Sequence, residues 1–190
     1  ARCHVAQRRS LMSTTRVAGM LVCLSALGWS ATGLSLEVYP LDQPTPITES
    51  TDLTVDENWG AGAPAGLPVD RFGAMWTGVI SVSGAQRGNY TFHVTASAGD
   101  AVDLTVGSTT VNLTFATTGM QSTPAIRMNG ASNLMLVYRH QSGSASLRLG
   151  WTRPDGVTEA VVPSSRLSSA DTVNAFPPVL TGPLIANGSI

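Results

Sequence analysis

Alternation of apolar and polar residues, repeated in one short segment after another, constrains the fold of this chain more than any other feature. A period of two places successive side chains on opposite faces of a β-strand, whereas a helix needs apolar residues three or four positions apart. Such segments begin at Trp76, Gly88, Val102, Leu134 and Ala145. No stretch after residue 34 carries a sustained helical stripe. The pattern therefore predicts an all-β protein.

Turn residues between these segments predict how the strands connect. We expect 76–82 and 90–94 to form one β-hairpin, 102–106 and 111–115 a second, and 134–138 and 145–151 a third. A turn at 154–156 should lead into a closing strand at 160–162. An opening strand at 36–39 should precede a long, proline-containing loop that carries Trp59. Seven or eight short strands at this spacing indicate an antiparallel β-sandwich or barrel.

Composition supports one folded core and excludes two classes of partner. The chain has 190 residues and 43% hydrophobic content, which suits one domain with short additions. Its formal net charge is -1, and its 11 basic residues are all Arg. Nucleic acids and anionic membrane surfaces are bound through dense positive patches, which this sequence lacks. We therefore expect neither as a partner.

The first segment is typical of a secretory signal peptide. Arg8, Arg9 and Arg16 precede an apolar run at 17–29, which is shorter than the roughly 20 residues that span a bilayer. Small residues at 31–33 offer a cleavage site, and an internal anchor or a misassigned start is the alternative. We predict signal peptide and upstream residues at 1–33, a β domain at 34–167, and a linker or tail at 168–190. This predicts a secreted or cell-surface protein without a transmembrane span.

The predicted mature region, residues 34–190, contains no cysteine and offers three candidate glycosylation sites. Both cysteines, Cys3 and Cys23, fall in the segment that we expect to be removed, so no disulfide is predicted. Three Asn-x-Ser/Thr sequons, at Asn89, Asn112 and Asn187, are glycosylation candidates. Asn112 alternates with apolar neighbours, which predicts a solvated side chain.

The order of the aromatic and glycine positions resembles a known β module. A Trp-Gly pair and a proline precede a Trp-x-Gly strand, a Gly-x-Tyr-x-Phe strand follows, and a late strand ends on Trp. The residues that carry this series are Trp59, Pro64, Trp76, Gly88, Tyr90, Phe92, Gly99, Asp100, Leu104, Val106, Tyr138, Leu149, Trp151, Pro163 and Leu167. Together they resemble the protective-antigen domain, named after the anthrax toxin component, over residues 34–167. The resemblance implies a β-sandwich or barrel of that type.

The resemblance also implies carbohydrate binding through loops. In the fungal adhesin and lectin branch of this family, paired Asp residues and a later Asn hold a calcium ion that coordinates sugar hydroxyls. Here Gly99 stands at the first Asp position, Asp100 matches the second, and His140 stands at the Asn position. Asp100 is thus the one calcium ligand that remains from the family's set, which is incomplete.

Two neighbouring loops supply the other candidate ligand-binding residues. We name Gly99, Asp100 and Asp103 on one loop, and Arg139, His140 and Gln141 on the next, where His140 and Gln141 are predicted to be exposed. An alternative is that the Asp residues only hydrogen-bond the nearby backbone. Trp59 would stack on a sugar or cap the barrel. Trp76 and Trp151 share strand faces with apolar residues and are predicted to be core.

Motifs for catalysis are absent. The sequence contains no nucleophile elbow, no His-Glu-x-x-His helix and no phosphate-binding glycine loop. The favoured function is therefore a non-catalytic carbohydrate-binding module of the lectin or adhesin kind, with glycans or extracellular proteins as partners. Two alternatives stay open: a structural or protein-interaction module without a sugar site, and an accessory domain of a truncated glycoside hydrolase.

Overall fold

Two antiparallel β-sheets pack face to face in the computed structural model, which describes residues 31–43 and 45–169. The strands of this part of the chain are β1 (Leu34–Pro40), β2 (Thr48–Asp52), β3 (Asp56–Gly60), β4 (Phe72–Ser81), β5 (Gly88–Ala96), β6 (Ala101–Val106), β7 (Thr109–Thr114), β8 (Gly119–Ser122), β9 (Ile126–Met128), β10 (Ala131–His140), β11 (Ala145–Thr152), β12 (Thr158–Glu159) and β13 (Leu167–Ser168). Two short 3-10 turns, Gly84–Gln86 and Ser164–Arg166, complete it. The all-β antiparallel sandwich expected from the sequence is confirmed.

Strands that are distant in sequence lie side by side in both sheets. The first sheet has the order β2-β1-β4-β10-β6-β7, with β13 also paired to β4. The second has the order β12-β11-β5-β8, with β3 paired to β11 and β9 paired to β5. Every pairing recorded between these strands is antiparallel.

The core lies between the inner faces of the two sheets. Alternate residues of β4, β5, β6, β10 and β11 point inward, and Trp76 and Trp151 are buried as predicted. Each indole N–H has an acceptor, because Trp76 donates to Asp52 (2.7 Å) and Trp151 donates to Glu159. Full burial of a large apolar side chain contributes about 1.5–3 kcal/mol, so this interdigitated layer supplies most of the driving force for folding.

Two of the three predicted hairpins are wrong. The segments 102–106 and 111–115 do pair, as β6 and β7. However, β4 and β5 lie in different sheets, and so do β10 and β11. In each case the turn crosses from one sheet to the other, because alternation and a short turn suit such a crossing as well as a hairpin. The inward faces were nevertheless predicted correctly.

The region between the opening strand and β4 is more regular than expected. Trp59 belongs to β3 rather than to a long loop, and β2 extends the edge of the first sheet. The predicted closing strand at 160–162 is replaced by β12 and β13, and the predicted turn at 154–156 is present, with Gly156 at φ +82. At the other end, Thr32 bridges to Ser168, and the Gly33 N–H donates to the Leu167 carbonyl (3.1 Å). Residues 31–33 thus belong to the folded unit.

Candidate ligand-binding surface at one end of the sandwich

Strand alternation divides the sequence-predicted site residues into an inner group and an outer group. Asp100 continues the inward series of β6, and His140 is the last inward residue of β10. Asp103 and Arg139 occupy the alternate positions of the same two strands and lie on the outer face of the first sheet. The residues expected to form one site are therefore separated by the thickness of a sheet.

The inner group is a buried hydrogen-bonded network. Asp100 is 1% exposed and His140 is 0% exposed. The Tyr138 hydroxyl donates to Oδ2 of Asp100 at 2.6 Å, and Nδ1 of His140 lies 2.7 Å from Oδ1. The expectation that His140 lies on an exposed loop is wrong, because β10 extends to residue 140 and keeps its alternation.

Burial determines the ionisation of this network. Burial raises the pKa of the Asp100 carboxyl above its ordinary value, and the hydrogen bonds from Tyr138 and His140 reduce that rise without cancelling it. Burial and then the bond to Asp100 also raise the pKa of the Tyr138 hydroxyl, so this group keeps its proton and acts as a donor. When Asp100 is ionised it accepts only, so Nδ1 of His140 must then carry a proton.

The other nitrogen of His140 faces a loop carboxylate. Nε2 is buried without a hydrogen-bond partner among the described residues, and Oδ1 of Asp70 lies 4.0 Å away. Asp70 is held in place by the Gly143 N–H, which donates to the same oxygen at 3.2 Å. Next to it, Arg71 has φ +60, an uncommon conformation for a residue with a side chain. Its N–H donates to the Gln141 carbonyl (3.2 Å), which ties the two loops together.

Trp59 caps the core from β3. Its ring stacks on Tyr138 with centroids 5.6 Å apart and meets Phe72 edge-on at 5.4 Å. A β-bulge turns it inward: Ser146 pairs with Asn58 and Ala145 with Gly60, so Trp59 is the extra residue. Trp59 remains partly exposed. Of the two roles considered from the sequence, its contacts favour capping.

The residues around Asp100 do not fit a calcium ion. Calcium takes six to eight oxygen ligands, and both oxygens of Asp100 already accept bonds from Tyr138 and His140. Gly99 supplies no carboxylate, and a His nitrogen stands where a further oxygen would be needed. Within residues 31–43 and 45–169, no three His, Cys, Asp or Glu side chains are grouped so that they could hold a metal ion.

The outer group forms a polar cluster with an aromatic residue that the sequence analysis missed. Arg139 makes an ion pair with Asp103, and Nδ2 of Asn112 donates to Oδ1 of Asp103 at 2.6 Å. Tyr39 and Arg139 both pair with Gly73 of β4, one from each side. The Tyr39 ring lies over Gly73, where an added Cβ would be 2.5 Å from Cε2. We call Tyr39, Asp103, Asn112 and Arg139 the Tyr39 cluster.

Electrostatic interactions, in addition to direct contacts, link the residues of this cluster. Burial opposes ionisation of Asp103, but the bonds from Arg139 and Asn112 outweigh it and hold the pKa of Asp103 below its ordinary value. Burial raises the pKa of the Tyr39 hydroxyl. The charge of Arg139 lowers this pKa, and the charges of Glu37 and Asp103 raise it. The ring, the guanidinium and the carboxylate therefore sit within electrostatic reach of one another on the first sheet's outer face.

The remaining candidate residues are at the surface. Gly99 is exposed at φ +87, with nothing within 4 Å of an added Cβ, and Gln141 is exposed after β10. Asn89 and Asn112 are exposed, whereas Asn187 lies outside the described residues, as do the predicted signal peptide up to residue 30 and the tail from residue 170. No helix in the described part of the chain is long and apolar enough to cross a membrane.

Comparison with solved structures finds the same architecture elsewhere. An anti-sigma factor domain-containing protein from Clostridium clariflavum matches with a TM-score of 0.63 and 29% identity, over 77% of this chain and 50% of that one. Another anti-sigma factor domain-containing protein matches with a TM-score of 0.65 and 25% identity, over 78% of this chain and 50% of that one. This chain thus spans about half the length of these two proteins.

Sugar-binding proteins share the architecture at lower identity. A PA14 sugar-binding domain from an RTX adhesin matches with a TM-score of 0.56 and 16% identity, over 74% of this chain and 100% of that one. The chain has a PA14-like fold. The Epithelial Adhesin 6 A domain from Candida glabrata, in complex with Galb1-3GlcNAc, matches with a TM-score of 0.55 and 13% identity, over 77% of this chain and 90% of that one. Such low identity shows the fold alone. No protein-family model and no curated protein matches the chain.

Proposed function

We propose that this protein is a non-catalytic carbohydrate-binding module, secreted or displayed on a cell surface, that binds glycans without a metal ion. The observation that carries the proposal is the Tyr39 cluster, in which an aromatic ring lies beside a guanidinium and a carboxylate on an outer sheet face. The PA14-like fold, which the sugar-binding adhesin domains share, and the leader-like segment at 17–29 support it.

The chemistry of the cluster suits a sugar ring. The C–H groups on one face of a pyranose pack against an aromatic face, and Tyr39 is held flat on the sheet because Gly73 has no side chain beneath it. Arg139 donates to sugar hydroxyls, while Asp103 accepts from them. Because Arg139 and Asp103 already neutralise each other, a neutral glycan is favoured over a charged one. Exposure of Arg139 (40%) keeps the site open, so we expect weak binding.

In the proposed function, the position that the resemblance assigns to calcium has a structural role instead. Asp100, Tyr138 and His140 satisfy one another inside the sandwich, and the same three residues support the loops beside the cluster. Their role is to hold the end of β10, and therefore Arg139, in place. Sugar contacts come from the outer face and from the adjoining exposed residues Gly99 and Gln141.

A glycan array probed with the whole protein tests this function. We expect binding of neutral glycans in the wild type and in Tyr39→Phe, which keeps the ring, and much weaker binding in Tyr39→Ala. Arg127→Leu, which removes an exposed Arg from β9 of the other sheet, serves as the control for loss of positive charge. Absence of binding by a folded wild type, or equal binding by Tyr39→Ala and Tyr39→Phe, would contradict the proposal.

The second candidate is a protein-interaction module. The outer face of the first sheet carries three partly exposed apolar residues: Met75 and Val137, which lie in the row between Glu37 and Asp103, and Met135 in the next row. An interface would cover them. Concentration-dependent self-association in sedimentation experiments, together with no glycan binding, would favour this candidate.

A further inference from the structure

A polar groove lies on the outer face of the second sheet, away from the Tyr39 cluster. It has a cavity volume of about 190 Å³ and lies where β3, β11 and β5 run side by side. Asp56 and Asn58 border it from β3, Ser146 and Arg148 from β11, and Thr95 from β5. None of these residues was predicted from the sequence to bind a ligand.

The bulge in β3 shapes the groove. It shifts the pairing of β3 with β11 between Ala145 and Ser146, and it turns Trp59 inward while Asn58 stays exposed. Bulges are frequent where a strand has to direct a side chain toward a binding site. Here the same irregularity closes the core on one face and sets Asn58 opposite Ser146 on the other.

Charges of opposite sign pair within the groove. Nε of Arg148 donates to Oδ1 of Asp56 at 2.7 Å, and both side chains remain partly exposed. Burial, followed by the nearby carboxylates of Asp52 and Asp56, raises the pKa of Glu57 at the groove's edge. An anionic ligand would meet these carboxyl groups, and a cationic one would meet Arg148. The groove therefore suits a neutral ligand.

Donors and acceptors are mixed in this groove. Asn58 uses Oδ1 to accept from the Gly60 N–H (3.2 Å), and among the described residues its Nδ2 has no hydrogen-bond partner. The Ser146 hydroxyl forms a hydrogen bond with the Ser97 hydroxyl at 2.9 Å. Arg148 bonds to Asp56 through Nε, so its terminal amino groups take no part in that bond. Hydroxyl groups, which both donate and accept, match such a surface. The volume lies below the roughly 300–1,000 Å³ of drug-sized sites, so one ring is the appropriate size.

The geometry points to a second ligand site, in which this groove binds one ring of a neutral polyhydroxylated molecule such as a hexose. The groove and the Tyr39 cluster lie on opposite outer faces of the sandwich. A protein that carries both sites can bind two glycan chains, or two parts of one chain, which increases its apparent affinity for a dense glycan surface. This inference does not depend on the Tyr39 cluster being a sugar site.

Chemical-shift mapping on the labelled whole protein tests the groove. Titration with galactose, glucose and mannose should shift the amide resonances of Asn58, Thr95 and Ser146. We expect Arg148→Leu to weaken binding at these resonances at least tenfold, and Thr95→Val, which keeps the side-chain shape, to weaken it by a smaller factor. Arg127→Leu, which removes an exposed Arg on β9, should leave binding unchanged.

Three results would overturn the inference. They are no shift at these residues at saturating sugar, shifts that Arg148→Leu and Thr95→Val leave intact, and tighter binding of glucuronate than of glucose. Shifts confined to Tyr39 and Arg139 would support the proposed function and overturn the groove. Shifts at the groove that survive Arg139→Leu would support the groove even if the Tyr39 cluster binds nothing.

Discussion

Removal of the Tyr138 hydroxyl is the sharpest test of the buried network. Tyr138→Phe deletes the donor that lies 2.6 Å from Oδ2 of Asp100 and leaves a buried carboxylate oxygen without it. A hydrogen bond to a charged group contributes about 1.5–3 kcal/mol, so we expect a loss of about 2 kcal/mol in the free energy of unfolding. For a domain of this size, this corresponds to a fall in Tm of roughly 6–8 °C.

Tyr90→Phe is the matched control. The Tyr90 hydroxyl donates to the backbone carbonyl of Gln86 at 2.7 Å, so the same atom is removed from a neutral acceptor. The expected loss is about 1 kcal/mol. Urea unfolding followed by tryptophan fluorescence measures both variants, and a lower midpoint with an unchanged slope identifies a change in stability.

The pH dependence of the stability loss in Tyr138→Phe follows from the pKa of Asp100. Burial raises the folded-state pKa of Asp100, so its contribution to stability is present at low pH and is lost as pH rises through that pKa. The Tyr138 hydroxyl favours the ionised carboxyl, and deleting it raises the pKa of Asp100 further. The loss in Tyr138→Phe should therefore grow as pH rises from acid toward neutral. Equal losses for Tyr138→Phe and Tyr90→Phe, or a Tyr138→Phe loss that shrinks with rising pH, would show that Tyr138 does not stabilise an ionised Asp100.

Three further perturbations follow from particular contacts. An added Cβ at Gly150 would lie 2.6 Å from the Ala160 carbonyl oxygen, so Gly150→Ala should lower the free energy of unfolding by about 1–3 kcal/mol. Gly119→Ala, whose Cβ would meet nothing within 4 Å, should change Tm little, and a comparable loss in both variants would contradict this prediction. Asp103→Asn should lower the free energy of unfolding by less than about 1 kcal/mol near neutral pH. The loss should be smaller still in acid, because the stabilisation by a carboxyl with a lowered pKa disappears as the pH falls through that pKa. A loss that persists in strong acid would count against the ion pair of Asp103 with Arg139. Calcium at millimolar concentration should leave the Tm unchanged relative to EDTA, and a rise in Tm would show that oxygens other than those of Asp100 complete a site.

Sequence periodicity predicted the faces of the strands better than their partners. Inward residues of β4, β5 and β11 were identified because burial on one face requires period two. The pairing of β4 with β10 and of β5 with β11 joins segments far apart in the chain, and a local pattern holds no information on such contacts. A short turn between alternating segments therefore suggested hairpins where the chain crosses between sheets.

The buried network could have been predicted from the alternation of inward and outward positions along the strands alone. Asp100 has the parity of Val102 and Leu104, and His140 has that of Leu136 and Tyr138, so extending the alternation by one step places both inside. The resemblance to the protective-antigen domain drew attention to loops instead. Parity likewise assigns Asp103 and Arg139 to the outer face. Tyr39 and the groove could not be predicted, because each depends on which strands are neighbours.

Calorimetric titration of the strongest array ligand, in EDTA, tests metal-free glycan binding at the Tyr39 cluster most directly. Wild type, Tyr39→Phe and Tyr39→Ala should be measured under identical conditions. We predict saturable heat for wild type and Tyr39→Phe, unchanged when calcium replaces EDTA, and for Tyr39→Ala no more than the weak heat that the groove on the second sheet would give. Heat that appears only with calcium, or that Tyr39→Ala retains in full, would contradict a metal-free site at this cluster.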